Sequence, residues 1–289
     1  MPVKDRRAAA SGVTLYTTSK APVVALQKIA YWGVRLAGAR LVPGSTFDAS
    51  LPCDQIVWER LWAAWAECLG PIDGVAMYQR RQQARSGLTL ALTRGGRAQA
   101  IVKLRHQDAG LHVEQDALAC LSGAEPRHFR VPRALGSGLV DELMWSAQSC
   151  VFSRPHSPVL DPPDALFDEV SNLLRPVVEC RAETRSTAWA PAHLDLTPWN
   201  LRRDHRGQVW LFDWEDVGAA PRGTDQTYFA ATLQTVRPGP MPPGLSPAAI
   251  RHCRQLVASR VVDNPEDVWF RHTVTAALDR ATTAKAPID

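Results

Sequence analysis

The sequence predicts an α+β protein of two lobes, a small antiparallel-sheet lobe carrying one helix and a mostly helical lobe after it. Three observations predict it. Short β-like pieces gather between Val75 and Leu104, helical spacing dominates from Asp164 onward, and a β-like island at Leu201 to Phe212 interrupts it. The chain has 289 residues, enough for one large or two ordinary domains at about 150 residues each. With 45% hydrophobic and 21% charged residues it is globular, which excludes fibrous and wholly disordered classes.

The expected organisation is a helical extension over 1–70, a sheet lobe over 71–149 and a helical lobe over 150–289. Met1 to Ala10 is charged and Ser11 to Lys20 polar, so the apolar core of a secretory signal is missing. Ala21 to Val42 is interrupted by Lys28, Arg35 and Arg40, which argues against a membrane span. Leu26, Ile29, Trp32 and Leu36 recur at spacings of three and four, the stripe of an amphipathic helix expected to pack on the main domain. The cations there, with Tyr31 and Trp32, also permit contact with a membrane surface. A second helix is expected from Asp54 to Cys68, with Trp58, Leu61, Trp62 and Trp65 on one side.

Strands are expected at Val75 to Tyr78, Leu88 to Thr93 and Ala98 to Leu104. The last two flank Arg94-Gly95-Gly96-Arg97, a hairpin signal because paired glycines accept the positive φ of tight turns. A helix starting near Leu111 carries Val113, Ala117, Leu118 and Leu121, and strand-like pieces follow at Arg133 to Leu135 and Glu142 to Trp145. After the Pro-rich connector Arg154 to Pro163, Asp164 to Arg181 returns to helical spacing.

Six scattered cysteines offer neither a zinc spacing nor a disulfide framework, so a reducing, cytoplasmic setting is expected. A net charge of +4 without a basic stripe argues against nucleic acid as a partner.

The chemistry concentrates in His193-Leu194-Asp195-Leu196-Thr197-Pro198-Trp199-Asn200 and in Asp213, which ends the apolar run Val209 to Phe212. Phosphoryl transfer from a nucleotide needs such a set: a carboxylate to orient or deprotonate the attacking hydroxyl, and oxygen ligands for Mg²⁺. An ordinary solvated turn also uses Asp and Asn, but His, Asp, Asn and Asp in this order and spacing are far less common.

HLDLTPWN followed by FDWED resembles the aminoglycoside phosphotransferase and choline kinase family, whose fold is protein-kinase-like and whose pattern reads approximately HGDxxxxN and then an Asp after a strand. The resemblance implies an ATP- and Mg²⁺-dependent kinase acting on a hydroxyl of a small molecule. It implies Asp195 as catalytic base, Asn200 and Asp213 as Mg²⁺ ligands, His193 as a brace and Asp225 as a structural support of the loop. Lys103, on the second hairpin strand, and Glu114, near the start of the next helix, would pair to hold the nucleotide phosphates. Ser86 and Gly87, with Arg81 or Arg85, would contact phosphate from a loop that lacks GxGxxG. The base would lie near Ser146 to Ser149. Leu194 replaces the family's glycine, where a side chain can restrict the loop or crowd a substrate; protein kinases also carry a non-glycine there.

Two other readings remain open: a catalytically silent kinase-like nucleotide-binding or scaffold protein, and a metal-dependent hydrolase using His193, Asp195 and Asp213. The second explains neither Lys103 nor Asn200. Over 246–289 six basic residues face five acidic ones, which favours a neutral sugar or other small alcohol over an aminoglycoside.

Overall fold

The sheet of the first lobe grows outward from one hairpin. In the computed structural model, which describes residues 5–15, 17–39, 53–79, 87–106, 110–181 and 189–283, strands β2 (Gly87–Arg94) and β3 (Arg97–His106) pair antiparallel around Gly95 and Gly96. Both glycines have positive φ, 58° and 70°, as the predicted tight turn requires. With β1 (Gly74–Gln79), β4 (Ala134–Val140) and β5 (Leu143–Ser149) they form a five-stranded sheet ordered β1-β2-β3-β5-β4, with antiparallel neighbours throughout.

Alternation along β3 divides its side chains between two faces. Val102 and Leu104 join Leu61 and Trp65 of helix α3 (Gln55–Leu69) in one core, and Ile101 joins Ala76 and Ala91 on the other face. Asp54 caps α3 by accepting from the Val57 amide.

Two helices precede it, α1 (Arg6–Val13) and α2 (Ala21–Ala37). The polar and charged opening of the chain gave no sign of α1, which Asp5 caps by accepting from the amides of Arg7 and Ala8. The apolar stripe expected to pack inward is exposed: Leu26, Ile29, Trp32 and Leu36 face away from the protein, and the buried face holds Val24, Gln27, Tyr31 and Val34. The reason is pairing. Tyr31 and Val34 fit against the small Ala9 and Ala10 of α1, and the Gln27 amide and Tyr31 hydroxyl find backbone acceptors only on that side.

In the second lobe the helical run expected over 164–181 is broken into α5 (Asp164–Leu173) and α6 (Arg175–Cys180), because Pro176 cannot continue a helix but suits a first turn. Helix α4 (Leu111–Ser122) packs Leu118 and Leu121 into the same core as Leu166, Val170, Leu196, Leu211 and Trp214. Around the motif run β6 (Ser157–Pro158), β8 (Leu201–Arg203) and β9 (Val209–Leu211) in one small sheet, and β7 (Trp189–Ala192) pairs with β10 (Gly218–Pro221). Helix α7 (Thr224–Leu233) is almost wholly buried, and α8 (Pro247–Ser259) and α9 (Pro265–Thr283) close the lobe over it. Among the described residues, no helix is long and apolar enough to cross a membrane.

Candidate active site

Strand β3 delivers Lys103 to the side of the sheet that faces the second lobe, where three carboxylates surround its ammonium. Nζ lies 2.7 Å from Glu114 Oε1, 2.7 Å from Asp213 Oδ1 and 2.6 Å from Glu215 Oε1. All four residues are buried. Burial works against the charge of Lys103, yet Asp213, Glu114 and Glu215 outweigh it and hold the ammonium protonated well above its usual range. Burial pushes the Glu114 carboxyl up to about 7; Lys103 opposes the rise while Glu215 and Asp213 add to it. Glu114 Oε2 is buried without a partner. Glu215 is the member that sequence reasoning missed. It also reaches Arg105 Nη2 at 3.4 Å, and its one signal was its place two residues after Asp213.

Across the cleft, the backbone amides of His193 and Leu194 donate to the two oxygens of Asp225 at 2.8 and 2.9 Å. Burial raises the Asp225 carboxyl above its ordinary value, although His193 and these two amides pull the other way. His193 Nε2 lies 2.9 Å from the Phe212 carbonyl and its Nδ1 accepts from the Asp195 amide at 3.3 Å. Asn200 Nδ2 donates to both the Asp195 carbonyl and Asp195 Oδ2, each at 2.9 Å. Leu194 stands at φ 64° and Asp213 at φ 65°, left-handed conformations that explain why a glycine suits position 194.

Lys103, Asp195, Asn200 and Asp213 all line one cleft of about 1220 Å³. With its amide nitrogen committed to Asp195, Asn200 would offer its amide oxygen as a metal ligand; with the Asp213 carboxylate this is a pair of hard oxygen ligands of the kind that suits Mg²⁺. Glu114, Asp213 and Glu215 also place ligand atoms within 4.8 Å of one another, but the Lys103 ammonium already supplies the cation among them.

Two contacts in this cleft had no counterpart in the sequence reading. Arg260, between α8 and α9, sets Nη2 on Asp195 Oδ1 and lies over the rings of Tyr228 and Phe270. Leu15, just after α1, joins Ile101 and Cys150 around the cluster of Ala76, Ala91 and Ala98, beside the end of β5 where the base was expected. Thr14 Oγ1 donates to the Phe152 carbonyl at 2.7 Å.

Gly87 opens β2, and a Cβ there would meet the Leu104 carbonyl at 2.3 Å, so strand pairing alone requires this glycine. Ser86, Arg81 and Arg85 lie outside the described residues. The near-neutral charge of 246–289 is unevenly placed: Asp263, Glu266 and Asp267 line the cleft with Arg260 and Arg271. Of these, Glu266 is paired with Lys20, and Asp267 accepts from the Asn264 side chain.

Fold and site together define a two-lobed α+β protein in which a buried lysine and glutamate on the sheet lobe face an HxDxxxxN loop on the helical one. No family profile matches the chain, and no curated protein matches it. Among solved structures it is similar to the aminoglycoside phosphotransferase APH(4)-Ia over 78% of this chain and 98% of that one, at 12% identity and a TM-score of 0.49. An aminoglycoside-3'-phosphotransferase of type VIII is similar over 78% and 100%, at 18% identity and a TM-score of 0.46. A putative aminoglycoside phosphotransferase from Ralstonia eutropha is similar over 79% and 99%, at 13% identity and a TM-score of 0.45.

Proposed function

We propose that this chain is a small-molecule kinase, transferring the γ-phosphoryl group of ATP to a hydroxyl in an Mg²⁺-dependent reaction. The observation that carries the reading is the shared cleft. Lys103, braced by Glu114, stands on one wall, and Asp195 with Asn200 and Asp213 on the other. On this reading residues 71–149 are the nucleotide-binding lobe, 150–289 the lobe with the catalytic loop, and 1–70 a helical extension.

Each residue then has a task. Lys103 binds the α- and β-phosphates, and Glu114 fixes its direction. Gly87 and Ser86 are assigned to the phosphate-facing loop. Asn200 and Asp213 would hold Mg²⁺, which supplies neutralisation of phosphate charge when bound. Asp195 accepts the acceptor's proton or orients its hydroxyl, while His193 and Asp225 fix the loop from behind. For Asp195 Oδ1 to meet a hydroxyl, the Arg260 guanidinium has to move aside. The proposed acceptor is a neutral sugar or another small alcohol, since the acids of the cleft wall are accompanied by Arg260 and Arg271 and Glu266 is already paired with Lys20.

The Arg260 contact favours a second reading, a catalytically silent nucleotide-binding module. Binding and transfer, measured in turn, separate them, and transfer decides. Calorimetric titration with a non-hydrolysable ATP analogue should show Mg²⁺-dependent binding on either reading. A panel of sugars, amino alcohols and aminoglycosides, scored by mass spectrometry for a gained phosphate, should show transfer only on the first.

A further inference from the structure

The outer face of α2 bears no relation to the cleft chemistry, and it is unusual in two respects. Its four large apolar side chains are among the most exposed described here: Leu26 at 63%, Ile29 at 70%, Trp32 at 56% and Leu36 at 71% of their surface. They follow one another at spacings of three, three and four, so they form one continuous stripe. The helix cannot turn them inward, because Tyr31 and Val34 already pack on α1 from the opposite side, where Val24 and Gln27 are buried with them. Gln27 holds the Val13 carbonyl at 2.8 Å and Tyr31 the Ser153 carbonyl at 3.1 Å. A contiguous exposed stripe of this kind marks an interaction surface.

Charge indicates what covers it. From Arg6 to Phe47 the sequence carries Arg6, Arg7, Lys20, Lys28, Arg35 and Arg40 and no aspartate or glutamate. Lys28 and Arg35 stand seven residues apart, two helical turns, along one border of the stripe. A second copy of this chain docking through the same face would add a second set of the same cations with no carboxylate from this stretch to offset them. An anionic bilayer meets both features at once. Apolar side chains enter the boundary between headgroups and acyl chains, while Lys and Arg beside them stay among the lipid phosphates. Trp32 belongs at that level as an amphipathic ring.

We propose that α2 is an interfacial membrane-docking helix, with Leu26, Ile29, Trp32 and Leu36 inserted into an anionic lipid surface and Lys28 and Arg35 on its phosphates. The surface adjoins the cleft: Lys20, at the start of α2, pairs with Glu266 and lies 4.8 Å from the Trp269 ring of α9.

The full-length chain should be sedimented with vesicles of phosphatidylcholine alone and of phosphatidylcholine mixed with phosphatidylglycerol. The expected result is binding to the mixed vesicles, weakened by salt, with Lys28→Gln/Arg35→Gln binding about tenfold less tightly. Ile29→Glu, at an exposed position, should abolish binding while keeping the melting temperature of the parent protein. Failure to bind either vesicle would overturn the proposal. So would binding that Ile29→Glu leaves intact, or a concentration-dependent dimer that the same substitution dissolves, which would assign the face to a second copy.

Discussion

The two leucines that flank Asp195 in the catalytic-loop candidate have opposite expected behaviour. Leu196 is fully buried in the main core of the second lobe, so Leu196→Ala should cost about 2–5 kcal/mol, readable by urea unfolding. Leu194 is only partly buried and stands at φ 64°, which costs an L-residue roughly 1–2 kcal/mol. Leu194→Gly relieves that strain as it loses contacts, and its stability should stay within about 1 kcal/mol of the parent. For Asp195→Asn the expected result is a fall in transfer of about 10²–10⁴-fold with nucleotide affinity retained, measured by coupled assay and titration. Arg260→Ala should raise slow ATP hydrolysis several-fold by releasing Asp195 Oδ1; a fall would show that the guanidinium assists the base. Asp195 and Asn200 were legible together because they share the short run HLDLTPWN, while Lys103 and Glu114, on a hairpin strand and the helix after it, stood out only beside that run. Arg260 was not legible, since its approach to Asp195 spans 65 residues and depends on the α8–α9 turn.

At the scale of elements, periodicity located the helices better than it chose their faces. In α2 the spacing of the apolar residues was right, but both sides of the helix are apolar enough to pack, and a contact with an unforeseen α1 decided which side did. Thr14 and Thr18, between those helices, are likewise fixed by partners that no local pattern announces. His156 Nε2 lies 3.1 Å from the Thr14 carbonyl, and Arg202, fully buried, gives Nε to His156 Nδ1 at 2.9 Å and Nη1 to the Thr18 carbonyl at 2.6 Å. Burial, with Arg202 beside it, lowers His156 to about 3 from an ordinary value of 6.5. The folded state therefore keeps this ring neutral where the unfolded chain would protonate it. Stability from this group is complete above pH 6.5 and is lost as pH falls from there toward 3. The raised Glu114 acts with the opposite sign, opposing stability as pH rises from 4.5 to 7. The difference between the parent and His156→Gln isolates the histidine. Unfolding free energies measured across this range should show a shallower acid decline in the variant.

For the whole molecule, the division into a sheet lobe and a helical lobe was legible because each carries its own periodicity, two-residue alternation in one and three-to-four spacing in the other. The cleft between them draws residues from both lobes and from the chain's start, and so no single window of sequence contains it. A ligand that bridges both walls stabilises the folded state by mass action, about 2.7 kcal/mol at a concentration one hundred times its Kd. A non-hydrolysable ATP analogue with Mg²⁺ should accordingly raise the melting temperature by several degrees, and Asp213→Ala should remove most of that rise.

The threading of the first residues into this cleft bears on how the chain is made. Tyr31, Thr14 and Thr18 find their partners 122, 138 and 184 positions further along. At roughly 5–20 residues per second, Thr18 waits on the order of ten to forty seconds for Arg202 to be synthesised. A segment made this long before its partners is among the last to be seated, and throughout that interval Ala9, Ala10, Tyr31 and Val34 have only one another to pack against. The pairing of α1 with α2 therefore has to hold this segment together before the second lobe exists to receive it.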